Sequence, residues 1–191
     1  MTERDQLRLD VFIACVILHS DLGTCDRLRT ACGLVNNKRL RGVGYNGSLH
    51  GFLHCDDGDH LLIDNHCEAT IHGEENAIHN TPPEYREGST AIVIGTPCLR
   101  CTKTLIHAGI KEIICIGEYA NARGREQIDK IAKQAGVIMR PYEVDAAKLF
   151  QKLFDLLARP GGMLFNDGYQ LKIIKQVINT KKEEEKDAPI P

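Results

Sequence analysis

The 191-residue sequence predicts an α/β fold in a single main domain. Three apolar, β-branched runs carry that reading: Ala91-Ile92-Val93-Ile94, Glu112-Ile113-Ile114-Cys115-Ile116 and Val137-Ile138-Met139. Between them lie segments of helical period, one closed by Gly109 and the next by Gly136. Strand, helix, strand at this spacing implies right-handed parallel crossovers.

The remaining elements follow in order. From Asp5 to Ser20, the residues Leu9, Phe12, Ile13, Val16 and Ile17 recur at three- and four-residue intervals, which predicts an amphipathic packing helix ending near Gly23. Cys32-Gly33-Leu34-Val35 and Arg41-Gly42-Val43-Gly44-Tyr45 flank Asn36-Asn37-Lys38, a hairpin with turn-forming residues at its tip. Residues 47 to 67 are rich in Gly, Asp and His around one apolar patch, Leu61-Leu62-Ile63, and read as an irregular segment on which ligands can gather. His72 to His79 reads as a helix stopped by Thr81-Pro82-Pro83. Pro97 suits the first turn of the helix that follows strand 91–94, where its missing N–H costs nothing. The next helix passes through Ile128, Ile131 and Ala132. Beyond Pro141 a strongly amphipathic helix runs from Ala146 to Leu157, is broken by Arg159-Pro160-Gly161-Gly162, and is followed by an apolar-periodic piece from Leu171 to Ile178. Residues 143–180 are thus expected to form a C-terminal helical extension, packed on the core or at a subunit interface. The mixed-charge, proline-ended stretch 181–191 is expected to be disordered.

Composition excludes several functions. With 24 Lys and Arg against 26 Asp and Glu, the formal charge is -2, and no broad basic field exists to hold a polynucleotide. A small substrate fits better. No apolar run is long enough to cross a bilayer. The eight cysteines, behind a charged opening Met1-Thr2-Glu3-Arg4-Asp5 that does not read as a secretion signal, predict metal ligands or buried thiols in a reducing cytoplasm. A disulfide framework is the alternative, and a core of this size has little need of one.

The chemistry concentrates in Thr70-Ile71-His72-Gly73-Glu74-Glu75-Asn76-Ala77-Ile78 and Thr96-Pro97-Cys98-Leu99-Arg100-Cys101. Cys98 and Cys101 stand three apart on one helix face near its start, where a metal and the helix dipole both favour thiolates. His72 supplies a third ligand, and Glu74 lies two residues away as a carboxylate free to move protons. Three ligands and a spare acid favour a catalytic zinc, which keeps one position for water, over a structural zinc closed by four protein groups. Taken alone, Cys-x-x-Cys also suits a structural corner or a redox pair, and a single histidine is more often a core residue. Together, His-x-Glu followed by Pro-Cys-x-x-Cys is the general signature of zinc-dependent nucleobase deaminases.

The resemblance narrows further. Gly44-Tyr45-Asn46-Gly47-Ser48, His54-Cys55, Asp64-Asn65-His66-Cys67 and His72-Gly73-Glu74-Glu75-Asn76-Ala77-Ile78 together resemble the deoxycytidylate deaminase family and its bacterial competence-operon relatives, over about residues 9 to 140. The resemblance implies a cytidine deaminase-like three-layer α/β/α sandwich with a mixed central sheet, occupying residues 1–142. It implies conversion of dCMP to dUMP: an activated water adds to C4 of the cytosine, Glu74 passes a proton to N3, and the amino group leaves as ammonia. It implies that Asn46 contacts the sugar and that Tyr119 lies near the substrate; by type alone, Asn46 beside Gly47 also suits a left-handed turn, and Tyr119 also suits packing. It implies a homo-oligomer, a second, structural zinc, and Mg2+ accompanying an allosteric nucleotide. Of Cys25, Cys55, His60, His66 and Cys67, which gather around the irregular segment, Cys25, Cys55, His60 and His66 are the expected ligands of that second zinc. His60 stands where bacterial relatives usually carry cysteine. Glycine at 73 replaces the family's usual alanine, and Thr30-Ala31-Cys32 replaces its Val-Gly-Ala, which leaves the chemistry intact and the substrate open. Arg27, Arg29 and Arg100 are candidates for a phosphate contact. Two other readings stay open at this point: a related deaminase acting on another cytosine or purine nucleotide or on RNA, and a non-catalytic zinc protein serving assembly.

Overall fold

The computed structural model of the chain describes residues 1–58, 60–63, 66–117 and 124–175. In chain order the elements are helix α1 (Glu3–Ser20), strands β1 (Ala31–Asn36), β2 (Arg39–Tyr45), β3 (Gly47–Ser48), β4 (Leu62–Ile63), β5 (His66–Cys67) and β6 (Thr70–Ile71), helix α2 (Gly73–Asn80), strand β7 (Thr90–Ile94), helix α3 (Leu99–His107), strand β8 (Glu112–Ile116), helix α4 (Arg125–Gln134), strand β9 (Ile138–Tyr142) and helices α5 (Ala146–Leu157) and α6 (Met163–Asn166).

Five strands form one mixed sheet in the order β2-β1-β7-β8-β9. The hairpin β1–β2 and the pair β1–β7 are antiparallel, while β7–β8 and β8–β9 are parallel, as helical crossovers through α3 and α4 require. The hairpin turns on Asn37 and Lys38, both with positive φ, the backbone that a two-residue primed turn demands. Strand β9 runs on to Tyr142, past the expected end at Met139, and it tolerates Pro141 because it is an edge strand.

The two faces of the sheet are covered differently. Gly33 of β1 faces α1, where the Val16 side chain fills the space a Cβ would need, and Ile13 and Val16 are fully buried on that side. The neighbouring Cys32 and Leu34 face the other way, into a core shared with Ala77 and Ile78 of α2, Leu105 of α3 and Ala132 of α4. Helix, sheet and a triple of helices therefore make three layers, the cytidine deaminase-like sandwich. Cys32 and Cys115 are buried core thiols held protonated by desolvation, the latter pushed up to about 11.

Helix α2, which carries the key acid, sits unusually close to the sheet. A Cβ on Gly44 of β2 would lie 2.2 Å from the Ala77 nitrogen, so only glycine permits the approach. Asn76 and Asn80, one turn apart, donate side-chain hydrogen bonds of 2.8 Å to the carbonyls of Tyr45 and Val43 on the outer edge of β2. This pins the helix axis along the strand and blunts an otherwise unpaired sheet edge.

Residues Met1–Leu149 form one compact unit and those from Phe150 onward a second. In the second, the rings of Phe150 and Phe154 on α5 lie tilted against each other with centroids 6.4 Å apart, and Gln151 donates to the Leu171 carbonyl and accepts from the Ile173 N–H. Residues Leu171 to Lys175 have no regular structure despite their apolar period, and the Leu171 carbonyl and Ile173 N–H pair with the Gln151 side chain. The rest of that piece and the expected tail lie outside the described residues. Among the described residues no helix is long and apolar enough to cross a membrane.

Candidate active site and a second cysteine cluster

Two helix N-termini meet at the site. Strand β7 ends at Ile94, and Gly95, at φ +81°, turns the chain so that its N–H reaches the Ile116 carbonyl at the end of β8. Cys98 then caps α3: its sulfur accepts the Cys101 N–H at 3.4 Å. Pro97 lies two residues before the first residue of the helix, since the cap falls on Cys98. His72 occupies the equivalent position on α2, as an extended residue just before Gly73. Its Nδ1 lies 3.7 Å from Cys98 Sγ and 3.2 Å from Cys101 Sγ.

These spacings fit a metal. A tetrahedral zinc with sulfur at about 2.3 Å and nitrogen at about 2.0–2.1 Å has donor–donor edges of roughly 3.5–3.8 Å. The three donors of His72, Cys98 and Cys101 all fall within 4.8 Å of one another. Their protons are already arranged around a shared charge. The hydrogen bond from Cys101 lowers Cys98 to about 3, with His72 and the Cys101 backbone N–H assisting against burial. The same sharing, together with burial, pushes the Cys101 thiol well up, and the Cys98 thiolate raises His72 to about 9.

Glu74, in the first turn of α2, is 5 % exposed, and burial raises its pKa. Interactions with its own backbone, with His72 and with the Cys101 side chain oppose that rise. A carboxyl held in this way is suited to taking and returning protons. Gly73 stands between ligand and acid, and a Cβ there would lie 3.1 Å from the Ala31 Cα and the Gly44 carbonyl oxygen, so the site's floor is already tight.

The remaining expected residues divide. Asn46 is buried and does not adopt the left-handed conformation; outside glycine, only Asn37 and Lys38 do so among the described residues. Its side chain instead clamps a loop, accepting the Thr30 N–H and donating to the Leu28 carbonyl, each at 2.8 Å. Tyr119 lies outside the described residues. Arg100 forms a two-pronged ion pair with Glu75 at 2.9 and 3.3 Å, and Arg29 donates to the Gly23 carbonyl and pairs with Asp56, so two of the three expected phosphate contacts, Arg29 and Arg100, already have anionic partners.

A second cluster contains Cys25, Cys55, His60 and Cys67. Cys25 Sγ is 3.7 Å from His60 Nδ1, and Cys55 Sγ is 3.6 Å from Cys67 Sγ, again the edges of a tetrahedron. Three of the four expected residues are present, but Cys67 stands where His66 was expected. The cause is strand alternation. His66 and Cys67 form β5, paired with Ile63 and Leu62, and successive strand residues project to opposite faces, so only one of them faces the cluster. Burial and the two neighbouring thiols push Cys55 up to about 12. Burial acts the same way on Cys67, but hydrogen bonds from the Ala69 backbone and from His60 outweigh it and lower this thiol to about 7.

Fold and donor set thus define a zinc-binding α/β protein with three convergent ligands, an adjacent buried acid and a second cluster of four donors. The family described as "Cytidine and deoxycytidylate deaminase zinc-binding region" matches residues 8–117, more than half of the sequence, and the chain belongs to that family. It is 37% identical over 127 residues to ComE operon protein 2 of Bacillus subtilis (strain 168), covering 64% of each chain. It is 27% identical over 140 residues to the deoxycytidylate deaminase of Saccharomyces cerevisiae, covering 69% of this chain and 43% of the yeast protein. The chain therefore spans less than two thirds of either relative. The dCMP deaminase from cyanophage S-TIM5, solved in complex with dCMP and dUMP, superposes with a TM-score of 0.61 at 23% identity, over 74% of this chain and 99% of the phage protein. That likeness is one of fold.

Proposed function

We propose that the chain is a zinc-dependent deaminase that converts dCMP and water to dUMP and ammonia. The observation that carries this reading is the pairing of three convergent donors, His72, Cys98 and Cys101, with the buried carboxyl of Glu74 in the first turn of the same helix that His72 caps. A zinc held by His72, Cys98 and Cys101 would supply the Lewis acidity that brings the pKa of the attacking water toward neutrality. Glu74 accepts a proton from the water as it adds to C4 of the cytosine and delivers it to N3. A second transfer through the same carboxyl lets the amino group depart as ammonia. The raised pKa of Glu74 suits both halves of that cycle, since it must be base and acid in turn.

Asn46 spends one lone pair on Thr30 and one N–H on Leu28, which leaves one acceptor and one donor position for a sugar hydroxyl. Cys25, Cys55, His60 and Cys67 supply the four donors that would hold a second, structural zinc. Those four residues would thereby fasten the loop carrying Thr24, whose N–H donates to the Asn46 carbonyl and whose hydroxyl accepts the Ser48 N–H. The cysteine content supports a cytoplasmic setting and the resemblance a homo-oligomer, and the resemblance alone supports Mg2+ beside an allosteric nucleotide. The names of the yeast and phage relatives support dCMP over other nucleotides. Ammonia release measured across cytidine, CMP, dCMP and dCTP, with zinc counted per chain, tests the reading. dCMP turnover with two zincs supports it, and a pure, zinc-loaded chain inert toward all four overturns it.

A further inference from the structure

His60 presents both ring nitrogens to named partners. Nδ1 faces Cys25 Sγ at 3.7 Å within the four-donor cluster, and Nε2 lies 3.1 Å from Oδ1 of Asp26. Asp26 is the residue next to Cys25, so one short segment supplies a sulfur to the cluster and a carboxylate behind the cluster's only imidazole. A metal-bound imidazole needs its other nitrogen protonated, and a carboxylate accepting that N–H fixes both tautomer and ring orientation while making the ligating nitrogen more basic. His60 sits in a stretch with little regular structure.

We infer that Asp26 is a positioning residue for the second metal: it accepts a hydrogen bond from His60 Nε2–H and holds Nδ1 toward Cys25, Cys55 and Cys67. This rests on the reading of that cluster as a zinc site. Asp26 has a side chain 66% exposed, and water competes for its oxygens, so its effect falls at the low end of the range for groups behind a metal ligand, about 10-fold in affinity out of about 10–100-fold.

The test is chelator competition on the full-length chain, with zinc counted in wild type, Asp26→Ala, Asp26→Asn and, as a reference, His60→Ala. Wild type is expected to hold two zincs and His60→Ala one. Asp26→Ala is expected to hold its weaker zinc about 10-fold less tightly, with the other zinc unchanged as an internal control. Asp26→Asn, which keeps a neutral acceptor, should fall between Asp26→Ala and wild type. In long-range proton–nitrogen spectra of the zinc-loaded chain, wild-type His60 should show a protonated Nε2 whose proton resonance is lost to solvent exchange in Asp26→Ala. A structural role for Asp26 alone would not move that signal. Two zincs held equally tightly in Asp26→Ala and wild type overturn the inference about Asp26 and leave the metal site standing. One zinc in wild type overturns the metal reading and the inference with it.

Discussion

The two cysteine and histidine clusters are built from the same chemistry and differ in what holds them. At His72, Cys98 and Cys101 the donors sit at the caps and first turns of α2 and α3, so two helices and a tightly packed glycine fix their positions. At Cys25, Cys55, His60 and Cys67 they come from loops, one turn of 3-10 helix and a two-residue strand. Rigid scaffolding needs only three donors and can leave a coordination position and a buried acid for chemistry. Loops with few apolar residues gain most from a fourth donor, since a closed metal site then supplies the order that packing does not. On the proposed reading, the same pair of ligand types serves catalysis in one place and cohesion in the other.

The largest expected effect breaks the first cluster. Cys101→Ala should lower the zinc count from two to one and cut dCMP deamination by more than the about 10²–10⁴-fold that losing an acid–base group costs, because the Lewis acid goes as well. Glu74→Gln should fall within that 10²–10⁴-fold range and keep both zincs, which metal analysis beside ammonia release will separate from the cysteine variant. Its stability should move the other way. The folded-state pKa of Glu74 is raised, so its contribution is fully present below the unfolded value of about 4.3 and is lost as pH rises through the folded value. In chelator-treated protein, Glu74→Gln should therefore melt higher than wild type near neutral pH, with the gap closing toward pH 4. A gap that widens in acid would contradict the burial argument.

The second cluster yields a smaller effect and a sharper one. Cys67→Ala should lose the second zinc and lower the melting temperature by roughly 2–4 °C for each kcal/mol lost in a chain of this size. His66→Ala should keep both metals and stay within about 0.5 kcal/mol of wild type. Calorimetry with zinc analysis on the two variants reads the strand alternation directly: the reverse pattern would put His66 in the site and Cys67 outside it.

That contrast marks what the sequence can and cannot disclose. The parallel crossovers, the hairpin and the His72, Glu74, Cys98 and Cys101 constellation are legible because each rests on a local period, cap or spacing. The choice between His66 and Cys67 is not, since a strand of two residues has no period to read and its facing is set by pairing with Leu62 and Ile63. Pro97 misplaces the helix start by two residues because the capping sulfur of Cys98 is invisible until its hydrogen bond to Cys101 is drawn. Asn76 and Asn80 look like ordinary polar helix residues until the edge of β2 is beside them, and Asn46 looks like a turn until its two amide bonds are seen.

The smallest effect sharpens how the first cluster is held. Arg100 bridges from α3 to Glu75 on α2, so the ion pair spans the two helices that bear the ligands. Glu75 is largely shielded, but the Arg100 side chain is 68% exposed, and pairs open to water are worth about 0–1 kcal/mol. Packing of α2 against β2 through Gly44, Asn76 and Asn80 already fixes the helix without it. Arg100→Ala should therefore cost no more than about 1 kcal/mol in thermal unfolding and lose that difference at high salt. It also separates two uses of the guanidinium. Engaged with Glu75, Arg100 is not aimed at a phosphate, so KM for dCMP should change by less than the roughly tenfold that 1.4 kcal/mol of lost binding would give. A KM rise well beyond that, with kcat unchanged and the melting temperature intact, would mean that Arg100 leaves Glu75 for the nucleotide when substrate arrives, and the ion pair would then be a resting state of the binding site.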